Sequence, residues 1–174
     1  VIMSFLKKLN RLYTNLRFHP VLNESVTVLR DKKGNDAAGG SSTTGSFLVR
    51  DLNEQLGDTS FCTLNGDSTF TLKKGVYDIT GSVPSFRSGA NVMVLYDETN
   101  TAILHHGTQD FSSNSAAYAG IRNNVNVVIT LLTTTKLALR ARSNDAKSGD
   151  GLGYGNICFG DASIFSQVSI RKLK

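Results

Sequence analysis

Between residues 69 and 106 apolar and polar positions alternate with a period of two. Phe70 and Leu72 alternate with Thr69 and Thr71, Lys73-Lys74-Gly75 interrupts, and Val76-Tyr77-Asp78-Ile79-Thr80 resumes with β-branched and aromatic residues. The pattern predicts a strand, a tight turn and a strand. A second unit follows: residues 91–96, the polar turn Asp97-Glu98-Thr99-Asn100, and the returning stretch 101–105. Successive hairpins without an intervening helix predict a β-sandwich or barrel rather than an α/β fold.

Further strands are expected at 46–52, 60–64, 68–72, 76–82, 118–122, 125–132, 136–142 and 163–173, a spacing of roughly ten residues. Gly66-Asp67, Ser88-Gly89-Ala90, Asn123-Asn124 and Thr133-Thr134-Thr135 supply the turns. These strands suffice for two sheets, so the expected fold class is all-β, an antiparallel β-sandwich.

The N-terminal stretch follows a different period. Phe5, Leu9, Leu12, Tyr13 and Leu16 recur at helical spacing, Ser4 caps the start, and His19-Pro20 ends it. This amphipathic helix needs a partner for its apolar stripe: the domain itself, copies of the helix, or another assembly component. A short strand-like piece follows at 24–30. Residues 31–45 are rich in Gly and Ser and low in bulky apolar residues, the composition of a flexible linker. The expected division is an arm at 1–45 and a head at 46–174, the alternative being a mobile loop within one domain.

Arg50-Asp51-Leu52-Asn53, Phe70-Thr71-Leu72, Lys74-Gly75-Val76-Tyr77, Val83-Pro84-Ser85-Phe86-Arg87 and Leu95-Tyr96-Asp97 resemble the C-terminal jelly-roll domains of bacteriophage tail fibres and other virion surface proteins. Those domains are in turn similar to trimeric C1q and tumour-necrosis-factor-like heads. The resemblance covers residue 46 to the C-terminus, and its motifs are those of a scaffold. It implies a jelly-roll head on a short helical arm, in a non-enzymatic virion structural protein: a capsid decoration, a capsid fibre or a tail-fibre head. On that reading the partners are capsid or tail proteins and a host surface glycan or receptor. The location is the virion surface after assembly in the host cytoplasm, with Phe5, Leu9, Leu12 and Leu16 as anchoring residues. The competing class is a C1q-like carbohydrate- or protein-binding module of a cellular or secreted protein.

Strand polarity bears on assembly. In 136–142, Leu137, Leu139 and Ala141 share a dry face opposite Lys136, Ala138, Arg140 and Arg142. By contrast 125–132 is apolar on both faces, with Val128 and Leu132 opposite Val127, Ile129 and Leu131. Residues 91–96 behave alike, with Met93 and Leu95 opposite Val92, Val94 and Tyr96. In the resembled heads the second face is covered by neighbouring subunits. The resemblance therefore implies a homotrimer with Met93, Leu95, Val128 and Leu132 at the interface, unless the arm or linker covers that face.

Composition narrows the remaining classes. No apolar run approaches the ~20 residues of a membrane helix, and the segment before His19 is too polar for a secretory signal. The net charge of +5 is concentrated near the termini, and no nucleic-acid-binding motif accompanies it. Cys62 and Cys158 lie in apolar contexts, which leaves open a buried free thiol or a single bridge.

Candidate chemistry is sparse. His19, His105 and His106 lack metal-ligand spacing, no catalytic residues or cofactors are expected, and no metal site is assigned. The Gly-rich stretch 149–156 lacks the Gly-Lys-Ser/Thr of a phosphate loop, and its acidic neighbours lack EF-hand order. Ligand-binding candidates lie on loops expected at 86–89, 109–114 and 145–154, where Phe111 and Tyr154 stack on sugar rings and Asn114, Asp110 and Asn156 bond hydroxyls.

Overall fold

The computed structural model describes residues 25–115, 119–155 and 160–174. It contains eleven strands: β1 (Ser25–Lys33), β2 (Leu48–Val49), β3 (Glu54–Gly57), β4 (Cys62–Leu64), β5 (Phe70–Leu72), β6 (Gly75–Phe86), β7 (Gly89–Asp97), β8 (Ala102–Ser112), β9 (Gly120–Leu131), β10 (Thr135–Ser143) and β11 (Ser163–Lys172). The first sheet has the order β3-β1-β11-β6-β9. The second runs β4-β5-β10-β7-β8, with β2 added against β10. All ladders are antiparallel, so the expected all-β sandwich is present. Among the described residues no helix is long and apolar enough to cross a membrane.

Alternation builds the core. Leu29, Val168, Ile170, Tyr77, Ile79 and Val125 point inward from the first sheet and meet Phe70, Leu72, Leu137, Leu139, Met93 and Leu95 of the second. At Gly81 a Cβ would stand 3.0 Å from Val125 and 3.2 Å from Leu139, so the two sheets approach closely there. Tyr77 places its hydroxyl on the Lys73 carbonyl at 2.8 Å, which lets a phenol sit in the core without an unmet polar group.

Several sequence expectations are corrected. Lys73 and Lys74 do not close a hairpin: β5 pairs with β4 and β10, β6 with β11 and β9, so this connection carries the chain from the second sheet to the first. Residues 25–33, assigned to the arm, form the second strand of the five-stranded sheet, paired with β11 and β3. The head therefore takes in Ser25. The expected linker is held as well: Gly39 N donates to Gly153 O at 2.8 Å, Ser42 N to Lys147 O at 3.0 Å, and Gly45 N to Ser143 O at 2.8 Å. Its order comes from backbone hydrogen bonds to residues about a hundred positions away, which composition does not register. The helix expected at 4–16, with Phe5, Leu9, Leu12 and Leu16, lies outside the described residues.

The Asn123-Asn124 turn is also absent. β9 runs straight through it because Asn123 Nδ2 donates to Thr108 O at 3.1 Å, and Thr108 Oγ1 accepts from Asn124 N at 2.8 Å. A neighbouring strand satisfies the groups that would otherwise favour a turn. β8 likewise continues past His105 to Ser112, so the loop expected at 109–112 is strand. Met93 and Leu95 are fully buried in the chain's own core and are unavailable to a partner. The interface expectation stands on Val128 and Leu132, which are 61% and 77% exposed.

Candidate functional site

The outward face of the second sheet carries a groove of about 600 Å³. Strand register places its walls. Gln109 of β8 pairs with Val92 of β7, and Val92 pairs with Arg142 of β10, so the three share one face in a continuous row. The neighbouring row runs from Phe111 to Ala90, whose amide donates to Asn144 Oδ1 at 2.6 Å. Val92 and Ala90 form a low floor between Phe111 and Gln109 on one side and Arg142 and Asn144 on the other. Two inter-strand spacings separate the walls, roughly 10 Å.

The polar groups here divide into spent and unspent. Asp110 pairs with the buried Asn91, and its Oδ1 accepts from Phe111 N at 2.8 Å. Phe111 is 61% exposed, a large cost for an aromatic ring without a partner. Arg142 stacks its guanidinium 4.9 Å from the Phe47 ring, and among the described residues no carboxylate or carbonyl accepts from it. Arg140, two residues earlier on the same face, also lies over an aromatic ring, that of Tyr96 at 4.0 Å. Glu98 answers its charge with two hydrogen bonds of 2.8 and 2.7 Å.

The four expected ligand-binding residues are not brought together. Phe111 lines the groove, whereas Asn114 is a tie: its Nδ2 donates to Asp145 Oδ2 at 3.0 Å and its carbonyl accepts from Arg87. Tyr154 packs in a tilted pair with Phe86, ring centres 4.8 Å apart, at a separate cavity of about 470 Å³ beside β6, β9 and β11. Asn156 lies outside the described residues. Gln109 lay in the candidate stretch 109–114 without a role of its own, and Arg142 was missed as a site residue. The sequence signal for Arg142 was the wet face of 136–142, which did not say what lay beside it.

The outward face of the first sheet is open too. One row runs Leu56–Val28–Ser169–Thr80–Asn126 and the next Val26–Arg171–Asp78–Val128. Arg171 and Asp78 pair across the second row at 3.7 Å. Small and β-branched side chains predominate, so this face is flat, and Leu56, Val128, Leu132 and Leu173 project from it or its rim.

Among solved structures, the globular domain of the zebrafish complement 1qA protein is similar over 87% of this chain and 98% of its own, with a TM-score of 0.55 and 15% identity. Murine APRIL at pH 5.0 covers the same 87% over its whole chain, with a TM-score of 0.54 and 11% identity. The fold is the C1q/TNF-like jelly roll. The Eiger TNF of S. frugiperda, with a TM-score of 0.54, 13% identity and coverage of 87% of this chain and 93% of its own, has it as well. No protein-family model and no curated protein matches the sequence.

Inside this C1q/TNF-like head a buried polar cluster surrounds Arg50. Arg50, buried among core residues, donates through Nε to Ser166 Oγ at 3.3 Å and through Nη2 to Leu152 O at 2.5 Å, while Nη1 has no partner. Burial lowers its pKa to about 10, so it stays charged at neutral pH. Nearby Asp31 Oδ1 accepts from Asn53 Nδ2 at 3.2 Å, while Oδ2 makes no hydrogen bond and only a loose ion pair to Lys33 at 3.7 Å. Burial raises its carboxyl to about 6; Asp51 adds to the rise and Lys33 and Arg50 oppose it. Cys62 is a free, buried thiol, and burial pushes it up to about 12, so it is not a nucleophile. Among the described residues no group of His, Cys, Asp and Glu could hold a metal ion.

Proposed function

We propose that this protein is a non-enzymatic recognition head that assembles as a homotrimer and presents its outer-sheet groove to a ligand. The observation that carries the reading is the division of labour between two opposite faces. The flat first-sheet face carries exposed Val128 and the adjoining Leu132, which call for a partner surface. The second-sheet face carries the groove with Phe111 and Arg142. The C1q/TNF-like fold supports threefold association through the first face, which would leave the second pointing outward.

On the strength of the sequence resemblance we place the head on a virion, as a capsid decoration or a tail-fibre head. A cellular or secreted C1q-like module is the alternative. Sedimentation velocity tests the assembly: the wild-type chain is expected at three times its monomer mass, and Val128→Lys with Leu132→Lys at one. A wild-type monomer at high concentration would overturn it. An antibody to this chain that labels particles supports the virion placement, and one that labels none removes it.

A further inference from the structure

Resting on the recognition-head reading, we propose that the outer-sheet groove binds a carboxylate-bearing saccharide, with Arg142 taking the carboxylate and Phe111 the apolar face of the ring. The internal comparison of Arg140 with Arg142 carries the argument. Both guanidiniums project from one face of β10 and lie over aromatic rings, Tyr96 and Phe47. Arg140 completes its site with the two oxygens of Glu98. Arg142 has the same aromatic backing and no carboxylate, and it faces a groove instead. A planar guanidinium held on a ring is oriented for two parallel bonds to an incoming carboxylate.

The rest of the groove fits a sugar better than a flat aromatic acid or a peptide strand. Phe111 stands exposed at the opposite wall, an aromatic platform for the C–H face of a pyranose. Gln109, on the same face two residues away, offers both a donor and an acceptor to hydroxyls. The floor of Ala90 and Val92 leaves a width of roughly 10 Å between the walls, room for one or two pyranose rings. Asp110 also lines the groove, with one oxygen committed to the Phe111 amide, and it makes no ion pair with Arg142.

The test is a titration of the full chain with 3′-sialyllactose, trigalacturonate, lactose and a neutral galactose trisaccharide, repeated for Arg142→Gln and Phe111→Ala. Both substitutions are at exposed positions, and a melting point within a few degrees of wild type verifies the fold. Wild type is expected to bind at least one acidic sugar tenfold or more tightly than its neutral counterpart. Arg142→Gln should erase that preference while leaving the weak neutral binding, and Phe111→Ala should weaken both. Stronger retention of sialyllactose or of trigalacturonate identifies the source of the acid. Equal affinity for acidic and neutral sugars, or a preference untouched by Arg142→Gln, overturns the carboxylate assignment and leaves the recognition head standing. An intact trimer that binds none of the four also overturns it.

Discussion

Arg50 Nε donates to Ser166 Oγ at 3.3 Å, a hydrogen bond between two fully buried side chains from opposite sheets. Arg50 immediately follows β2, which pairs with β10, while Ser166 belongs to β11. The guanidinium also holds the Leu152 carbonyl, so one side chain joins both sheets to the Gly-rich loop. Replacing it with Ala leaves Leu152 O and Ser166 Oγ without their donor and removes a cation near Asp31. Arg50→Ala is expected to lower the unfolding free energy by about 3 kcal/mol, read as a shift in the urea midpoint. Arg50→Met, which refills the volume, should lose less, and equal losses would show that the charge rather than the volume matters.

Asp31 makes stability depend on pH in the direction opposite to most carboxylates. Its folded pKa of about 6 stands above the ordinary value of 3.8, so the folded state holds the proton more tightly than the unfolded chain does. The stabilisation is fully present below pH 4 and is lost as pH rises through 6. The loss is of order 3 kcal/mol. Glu54, Asp58 and Asp67 are held below the carboxylate range by hydrogen-bonding partners and act the other way, but at lower pH. Thermal melts between pH 5 and 8 should therefore show a decline attributable to Asp31. Asp31→Asn keeps the acceptor for Asn53 and should flatten that decline; an unchanged slope would assign it to another group.

Gly107 lies where β8 crosses against β9. A Cβ there would stand 2.5 Å from both Asn124 O and Met93 Cγ. Gly107→Ala should cost about 2 kcal/mol. Gly34, around which a Cβ would meet nothing within 4 Å, is the control. Gly34→Ala should melt close to the wild type, and equal effects at both positions would argue against the close approach at Gly107.

Cys62 is buried and protonated at any physiological pH. In a Cys158→Ser chain, the remaining thiol should resist a disulfide reagent at pH 8 under native conditions and react stoichiometrically in denaturant. Rapid native labelling would place the thiol at the surface.

The dry face of β10 was legible because Leu137, Leu139 and Ala141 alternate without interruption, and each is buried. The exposed side of β9 was legible for the same reason at Val128 and Leu132. Phe111 was legible as an aromatic among polar neighbours, yet it was assigned to a loop because nothing in residues 109–112 announces that β7 will pair with them. Met93 and Leu95 misled: both faces of 91–96 are apolar, and local alternation says which residues share a face without saying which face is inside.

By itself the sequence determined the period of two, the strands on either side of Lys73-Lys74-Gly75, the hairpin around Asp97-Glu98-Thr99-Asn100, and thus an antiparallel sandwich, since these depend on neighbours a few residues apart. Tertiary structure alone decided that Ser25–Lys33 is an interior strand and that Gly39 and Ser42 are tied to Gly153 and Lys147. It also decided that Arg142 and Phe111 line one groove over Val92 and Ala90. Those outcomes rest on backbone groups and strand registers that meet from distant parts of the chain, and no local pattern of side chains encodes which strand will lie beside which.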